Sequence, residues 1–143
     1  MIHNKDEKVR EMAREFEGYP VDPRFAGYFI LFNQGRYYEA HDVLESLWLP
    51  IRRGPEGDFY KGLIQLAGAF VHVQKGRAGS AYRLLRLART NLARFPLDHM
   101  GLDGGAVVRF SDDWLRALEN EPPLPHGFES MSGVVAPWIP LPW

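Results

Sequence analysis

Apolar and polar residues follow one another along most of the chain with the three- and four-residue steps of amphipathic helices. Asp22 followed by Pro23 predicts a helix start, because the pair supplies a capping carboxylate and a preformed first turn. Glycines and prolines mark the predicted helix ends. The predicted helices cover 4–17, 23–34, 36–49, 56–75 and 77–94, and Ser111-Asp112-Asp113 caps a last short helix over 112–120.

Two parts of this helical region resemble each other at an offset of 41 residues. When Gly35 is set against Gly76, the chain matches at glycine, arginine and alanine. Each unit then reads helix, glycine turn, helix, as in tetratricopeptide-type hairpins. Because no third unit continues a stack, we predict an all-α fold in which two such hairpins form a closed bundle.

The carboxy-terminal end has a different composition from the rest of the chain. Residues 122–143 contain six of the eleven prolines and two of the four tryptophans. Proline at this density excludes a helix or a central strand, and tryptophan is unusual in a free tail. We therefore predict a helical domain over 1–121 and an extended tail that docks on its own bundle or on a partner subunit.

Composition narrows the function classes without choosing one. The 143-residue chain has an ordinary globular composition and no cysteine, which excludes disulfides, thiolate metal sites and a cysteine nucleophile. No apolar run approaches the length of a membrane span, so we expect a cytoplasmic protein without membrane contact. Phosphate-binding, dinucleotide-binding and serine-hydrolase motifs are absent from the sequence.

One group of polar residues is placed where it could carry chemistry. His41, Glu45 and Trp48 share a face of the 36–49 helix with Leu44, while Asp42 points more toward solvent. The 56–75 helix carries a stripe of small and polar residues that includes Gln65 and His72. Because sequential helices tend to pack side by side, we predict that one partly buried cluster unites four of these side chains, walled by three aromatic residues. The four are His41, Glu45, Gln65 and His72, and the walls are Tyr38, Trp48 and Tyr60.

Three interpretations of this cluster are open at this stage. It could be a structural network in which every polar atom is paired. It could line a ligand or catalytic pocket in which a histidine acts as acid or base and a glutamate orients it. It could hold a divalent metal ion through His41, Glu45 and His72, as a two-histidine, one-carboxylate set.

The net charge of −1 conceals an uneven distribution. Residues 75–94 contain six basic and no acidic side chains, which leaves eleven basic and eighteen acidic residues for the rest. Arg83, Arg86 and Arg89 share a face opposite the leucines of their helix. Such a face fits an acidic protein partner or the acidic segment 112–121 of a second copy, and nucleic acid is an alternative that we do not favour.

The segment from Phe32 to Trp48, which contains Gly-Arg-Tyr-Tyr-Glu-Ala-His-Asp, resembles the signature of a prokaryotic family known as domain of unknown function 309. The resemblance extends over about 25–95 and departs at Asp42, where the family pattern has glutamate. It implies an all-helical, cytoplasmic protein, and it marks the positions of His41, Asp42, Glu45, Trp48, Gln65 and His72.

Taken together, these features predict a cytoplasmic binding or interaction module that forms a homo-oligomer or binds an acidic partner. A metal- or histidine-dependent hydrolase of a small substrate is the first alternative, and nucleic-acid binding through the basic helix is the second.

Overall fold

The computed structural model describes residues 5–120 and 134–143. Within these residues the chain forms six α-helices and no strands, so the predicted all-α bundle is confirmed. The helices are α1 (Lys5–Arg14), α2 (Pro23–Asn33), α3 (Tyr37–Trp48), α4 (Gly57–Gln74), α5 (Ala78–Leu92) and α6 (Gly104–Asn120). None of the helices in the described part of the chain combines the length and apolar character needed to cross a bilayer.

Two identical turns form the hairpins α2–α3 and α4–α5. Gly35 and Gly76 adopt positive φ angles of 77° and 72°. At each turn the glycine N–H and the following arginine N–H donate to carbonyls of the last helical turn, which is the hydrogen-bond pattern of a Schellman cap. Arg36 thus donates to Leu31 and Arg77 to His72, both at 2.9 Å. The 41-residue repeat therefore corresponds to two equivalent helix–turn–helix units.

Aromatic side chains from four helices meet in the core. The Phe32 ring of α2 lies 5.0 Å from the Tyr37 ring of α3 and 5.9 Å from the Phe70 ring of α4. Phe70 in turn meets Trp114 of α6 edge to face at 5.4 Å. All four side chains are fully buried. Because α6 contacts α4 as well as α5, the helices enclose one core, as expected for a closed bundle.

The last helix is longer than predicted and begins elsewhere. α6 starts at Gly104, and the Asp103 Oδ1 atom accepts a hydrogen bond from the Ala106 N–H at 2.9 Å. The prediction that Ser111-Asp112-Asp113 caps a short helix is wrong, because Ser111 lies in the middle of α6 and is fully buried. Two consecutive glycines are unusual in a helix, but here they occupy its first turn, where α6 approaches the Leu97 backbone closely.

Residues 134–143 run extended over the helices of their own chain. The Asn33 side chain donates to the Ile139 carbonyl and accepts from the Ile139 N–H, both at 2.8 Å, and Ile139 is fully buried. A Cβ atom on Gly101 would lie 2.3 Å from the Pro142 carbonyl oxygen, so only glycine fits beneath the tail. Residues 121–133, where the predicted tail begins and its boundary with the helical domain falls, lie outside the described residues.

We predict that Asn33→Ala releases the tail while leaving the helices folded. The substitution removes both hydrogen bonds to Ile139, and each contributes on the order of 0.5–1.5 kcal/mol. Hydrogen exchange should show a loss of protection at the Ile139 amide with unchanged protection in α4. Gln34→Ala is the matched control, because this exposed neighbouring side chain is hydrogen-bonded to Arg36 and not to Ile139. Unchanged exchange at Ile139 would contradict the prediction.

Candidate functional site

A pocket of about 280 Å³ opens between α3, α4 and α5, and three of the predicted cluster residues line it. We call it the histidine pocket. Its walls are Tyr38 and His41 from α3, Ile64, Gln65, Gly68, Val71, His72 and Lys75 from α4 and its C-cap, and Leu84 from α5. The structure therefore brings His41, Gln65 and His72 together, as the helical spacing predicted.

Small residues on α4 permit this arrangement. A Cβ atom on Gly68 would lie 2.8 Å from the Leu84 Cδ2 atom and 4.0 Å from the His41 Cδ2 atom. A Cβ atom on Gly62 would meet Leu92 at the same close distance of 2.8 Å. The stripe of small residues on α4 thus lets α5 pack closely, and it leaves room for the pocket beside Gly68.

His41 is held in a fixed orientation by its neighbour Asp42. The His41 Nδ1 atom lies 3.0 Å from Asp42 Oδ1. Because a carboxylate oxygen accepts the bond from Nδ1–H, Nε2 is the ring nitrogen that can accept one in the neutral ring. The Cδ2 edge of the ring, next to Nε2, is the edge that faces Gly68. Asp42 therefore has the orienting role that the sequence interpretation gave to a glutamate.

Glu45 does not join the pocket. Its Oε1 atom accepts a hydrogen bond from Lys5 Nζ of α1, and the same ammonium group lies 3.3 Å from Asp42 Oδ1. The hydrogen bond to Glu45 is the main reason that the pKa of Lys5 is raised. Glu45 lies one helical turn beyond His41, where α1 packs against α3, so its carboxylate meets Lys5 and not α4.

The predicted metal-ligand set of His41, Glu45 and His72 is consequently not assembled. In the part of the chain that the structure describes, no three histidine, aspartate or glutamate side chains are grouped so that they could hold a metal ion. On α3, Asp42 is hydrogen-bonded to His41 Nδ1 and Glu45 to Lys5, so both carboxylates are already engaged and only His41 Nε2 is not.

Gln65 is fixed from the side of α5. Its Oε1 atom accepts a hydrogen bond of 2.7 Å from the Asn91 side chain, which is buried. Asn91 shares the apolar face of α5 with Ala81 and Ala88, and a lone amide on such a face is the signal that the sequence analysis overlooked.

His72 is the pocket residue with an unsatisfied polar atom. Its Nδ1 atom is buried and has no hydrogen-bond partner. Among the described residues the same is true of one other side-chain atom, Ser111 Oγ, which lies within α6 and away from the pocket. Burial lowers the pKa of His72, and the charges of Arg77, Lys75 and Arg83 lower it further. His72 is therefore mainly neutral at pH 7.

Two of the predicted aromatic walls lie elsewhere. The Trp48 Nε1 atom donates to the Gly57 carbonyl at 3.0 Å and so links the end of α3 to the start of α4. The Tyr60 ring packs against Phe25 and Phe59. Tyr38 does line the pocket, where its ring is inclined by 29° to that of His41 and lies 5.8 Å from Lys75 Nζ.

The predicted basic face on α5 is divided into two parts. Arg89 is paired with Asp112 of α6, and Arg94 beyond the end of α5 lies 2.6 Å from Asp58. Within residues 5–120 and 134–143, Arg83 and Arg86 have only the hydroxyl groups of Ser80 and Tyr82 as side-chain hydrogen-bond partners, at 3.4 and 3.3 Å. The acidic residues of α6 thus neutralise Arg89 within the chain and leave the first half of the helix uncompensated.

Two other clefts are larger but offer less chemistry. A cleft of about 660 Å³ between α1 and α2 contains charged residues, and its Asp22 and Arg24 are paired with each other. A second cleft of about 360 Å³ between α5 and α6 is almost entirely apolar, and its Arg89 is paired with Asp112. In the histidine pocket several polar groups converge, and one of them is unpaired. Convergent polar groups in a pocket are typical of a ligand site.

Residues 25–84 match the sequence model of the family described as Domain of unknown function (DUF309). The predicted resemblance to DUF309 is confirmed. The DUF309 match ends before the predicted limit of 95, yet it includes every residue that lines the histidine pocket. It does not extend over Asn91, α6 or the tail.

The chain is also similar to one uncharacterised protein over a longer stretch. An uncharacterized protein of Aquifex aeolicus (strain VF5) is 27% identical over 101 residues, which are 69% of this chain and 30% of that protein. The chain thus spans less than a third of the length of this relative. No solved structure matches the chain significantly.

We predict that His72 titrates below pH 6.5, its ordinary value, in an NMR titration of the histidine rings. Because the unfolded chain then binds a proton that the folded chain resists, this histidine should make the protein less stable as the pH falls through that value. Arg77→Ala should raise the pKa of His72 by removing one positive charge, whereas Arg53→Ala, in the exposed loop before α4, should not. A His72 midpoint at or above 6.5 would be incompatible with this account.

Proposed function

We propose that the protein is a binding module whose ligand site is the histidine pocket. One observation carries the proposal: the His72 ring belongs to a residue that lines an open pocket, and its buried Nδ1 atom has no hydrogen-bond partner. A structural network would instead be sealed, with each polar atom paired, because an unpaired buried polar atom costs on the order of 1–3 kcal/mol. A turn of the ring that exposes this atom to the pocket would let a ligand pair with it and remove this cost.

The other walls support the proposal because they are fixed before any ligand arrives. Asp42 orients His41, and Asn91 orients Gln65. Each side chain therefore presents a defined hydrogen-bonding edge, and little conformational freedom is lost on binding. Tyr38, Ile64 and Leu84 add aromatic and aliphatic surface around these polar groups.

The pairing of His41 with Asp42 favours a second candidate function, a histidine-dependent hydrolase. A histidine whose Nδ1–H is held by a carboxylate can accept a proton at Nε2 from a water molecule, whose oxygen then attacks an ester carbon or phosphorus atom. The proton returns to the leaving group. A metal-dependent version has less support, because the necessary donors are not grouped.

The remaining functional interpretations stay predictions. A homo-oligomer or an acidic partner would contact the uncompensated half of α5, and nucleic acid would need the same surface. Cytoplasmic residence likewise remains an expectation from the sequence.

The binding proposal is tested by screening small neutral and charged aromatic compounds by NMR. Compounds that bind should shift the ring resonances of His41 and His72 but not those of His99, which is bonded to Glu56 at the far end of α4. Gly68→Val should abolish these shifts, because a side chain there displaces Leu84 into the pocket. Gly18→Ala is the matched control, since no atom lies within 4 Å of the added methyl group.

The screen is evaluated on folded protein, so both variants must show cooperative thermal unfolding. Binding that persists in Gly68→Val, or shifts confined to residues outside the pocket, would refute the proposal.

The hydrolase candidate makes a separate prediction. Turnover of p-nitrophenyl acetate or p-nitrophenyl phosphate should fall about 10²–10⁴-fold in His41→Ala, as is typical for loss of a general base. Asp42→Asn should also lower kcat, because the amide no longer selects the required tautomer. His99→Ala should retain activity. Absence of turnover above buffer would leave the protein a binding module without this activity.

A further inference from the structure

Three cations lie beside the histidine pocket without an acidic partner. Lys75 lines the pocket, and Arg77 donates its backbone N–H to the His72 carbonyl at 2.9 Å. Arg83 extends back along the first turn of α5, where its Nη2 atom lies 3.4 Å from Ser80 Oγ. Among the described residues, none of these cations has a carboxylate within 4.0 Å. We call Lys75, Arg77 and Arg83 the basic corner.

Six of the seventeen lysines and arginines pair with a carboxylate among the described residues, and the basic corner belongs to the rest. Lys5, Arg24 and Arg36 each pair with a carboxylate, as do Arg89, Arg94 and Arg116. On α5, Arg89 is paired with Asp112 of α6. At the beginning of the helix, the described residues provide no carboxylate partner for Arg77 or Arg83. Uncompensated positive charge concentrated at one pocket attracts anions.

The pocket itself contains no acidic side chain. None of its nine lining residues is an aspartate or a glutamate. On α3 the nearest carboxylates, Asp42 and Glu45, are bonded to His41 and to Lys5 and do not line the pocket. An anion in the pocket would thus meet imidazole, ammonium and guanidinium groups without a repelling charge on the walls.

Comparison of the two repeat units shows that His72 occupies a position normally used for packing. Leu31 and His72 are equivalent residues of the two Schellman caps, each accepting the N–H of the arginine that follows the turn glycine. Leu31 is buried and apolar, with 1% of its surface exposed. The second unit replaces this apolar contact by an ionisable ring, which weakens packing unless a ligand uses the ring.

We propose that the histidine pocket and the basic corner form one site for a small organic anion, with a phosphate, sulfate or carboxylate head and a short apolar body. Lys75, Arg83 and His72 would bind the head, and Ile64, Val71 and Leu84 would contact the body. The volume of about 280 Å³ favours a ligand no larger than roughly one ring with its anionic group. This inference rests on the proposed binding function and specifies its ligand class.

Calorimetric titration with phenyl phosphate and with sulfate tests the proposal on the full chain. Lys75→Gln and Arg83→Gln should each weaken binding of both probes about tenfold, as expected for loss of one charge-assisted hydrogen bond. Arg53→Gln is the matched control. It removes the same charge from an exposed residue in the loop before α4, at the opposite end of that helix from Lys75.

The pH dependence of sulfate binding distinguishes recognition by His72 from simple attraction. Sulfate keeps its charge between about pH 8 and about pH 5, the range in which histidine titrates. A bound anion stabilises the protonated ring, so affinity should increase as the pH falls. The groups that face His72 are Tyr38 and His41 from α3, Lys75 from the end of α4, and Arg77 and Arg83 from α5. His72→Gln should reduce this increase in sulfate affinity at low pH. His41→Gln measures how much of the increase comes from the His41 ring.

Several results would overturn the inference. Neutral aromatic probes that bind while phenyl phosphate and sulfate do not would exclude the anion class and leave the pocket proposal intact. Failure of every probe to bind would remove both proposals. Equal losses in Arg53→Gln and Arg83→Gln would indicate attraction by net charge alone. Tight binding of heparin or a single-stranded oligonucleotide that survives His72→Gln would instead indicate a polyanion surface on α5.

Discussion

The turn at Gly76 determines the geometry on which the candidate site depends. A residue with a positive φ angle is required there, and the Arg77 N–H bonds to the His72 carbonyl. This bond fixes the last turn of α4 against the first turn of α5, so an imidazole and three cations occupy one corner of the bundle. The equivalent turn at Gly35 directs α3 back along α2 and places His41 opposite Gly68. The two Schellman caps therefore set the positions from which the side chains of the candidate site meet.

The sequence predicts most of the fold because local signals coincide with it. Helices α2 to α5 begin and end within a few residues of the predicted limits, and the Asp22 carboxylate caps α2 as expected. The sequence does not indicate the start of α6, because Gly104 and Gly105 have low helix propensity. Only the Asp103 cap and the close contact with Leu97 make these glycines helical. The Asp103 cap is a local signal, whereas the contact with Leu97 is not evident from the sequence.

The sequence also predicts part of the candidate site. Helical periodicity identified His41, Gln65 and His72, but it does not say which neighbouring helix a given face meets. Glu45 was therefore assigned to the cluster, although α1 brings Lys5 from 40 residues away to bind it. The contribution of Lys75 and Arg83 was also hidden, because the polar cluster and the basic helix look like separate features until the turn at Gly76 joins them.

The contact between Asn33 and Ile139 has a consequence for the order of folding. The two hairpins join neighbouring segments through turns of a few residues, so they can form early and with little loss of chain entropy. The Asn33 contact links residues 106 positions apart, and its partner surface exists only after the helices have packed. Closing so long a loop before that point would gain two hydrogen bonds against a large entropic penalty. We therefore expect the extended segment to dock after the bundle has formed and to open before it unfolds, as a separate cooperative unit.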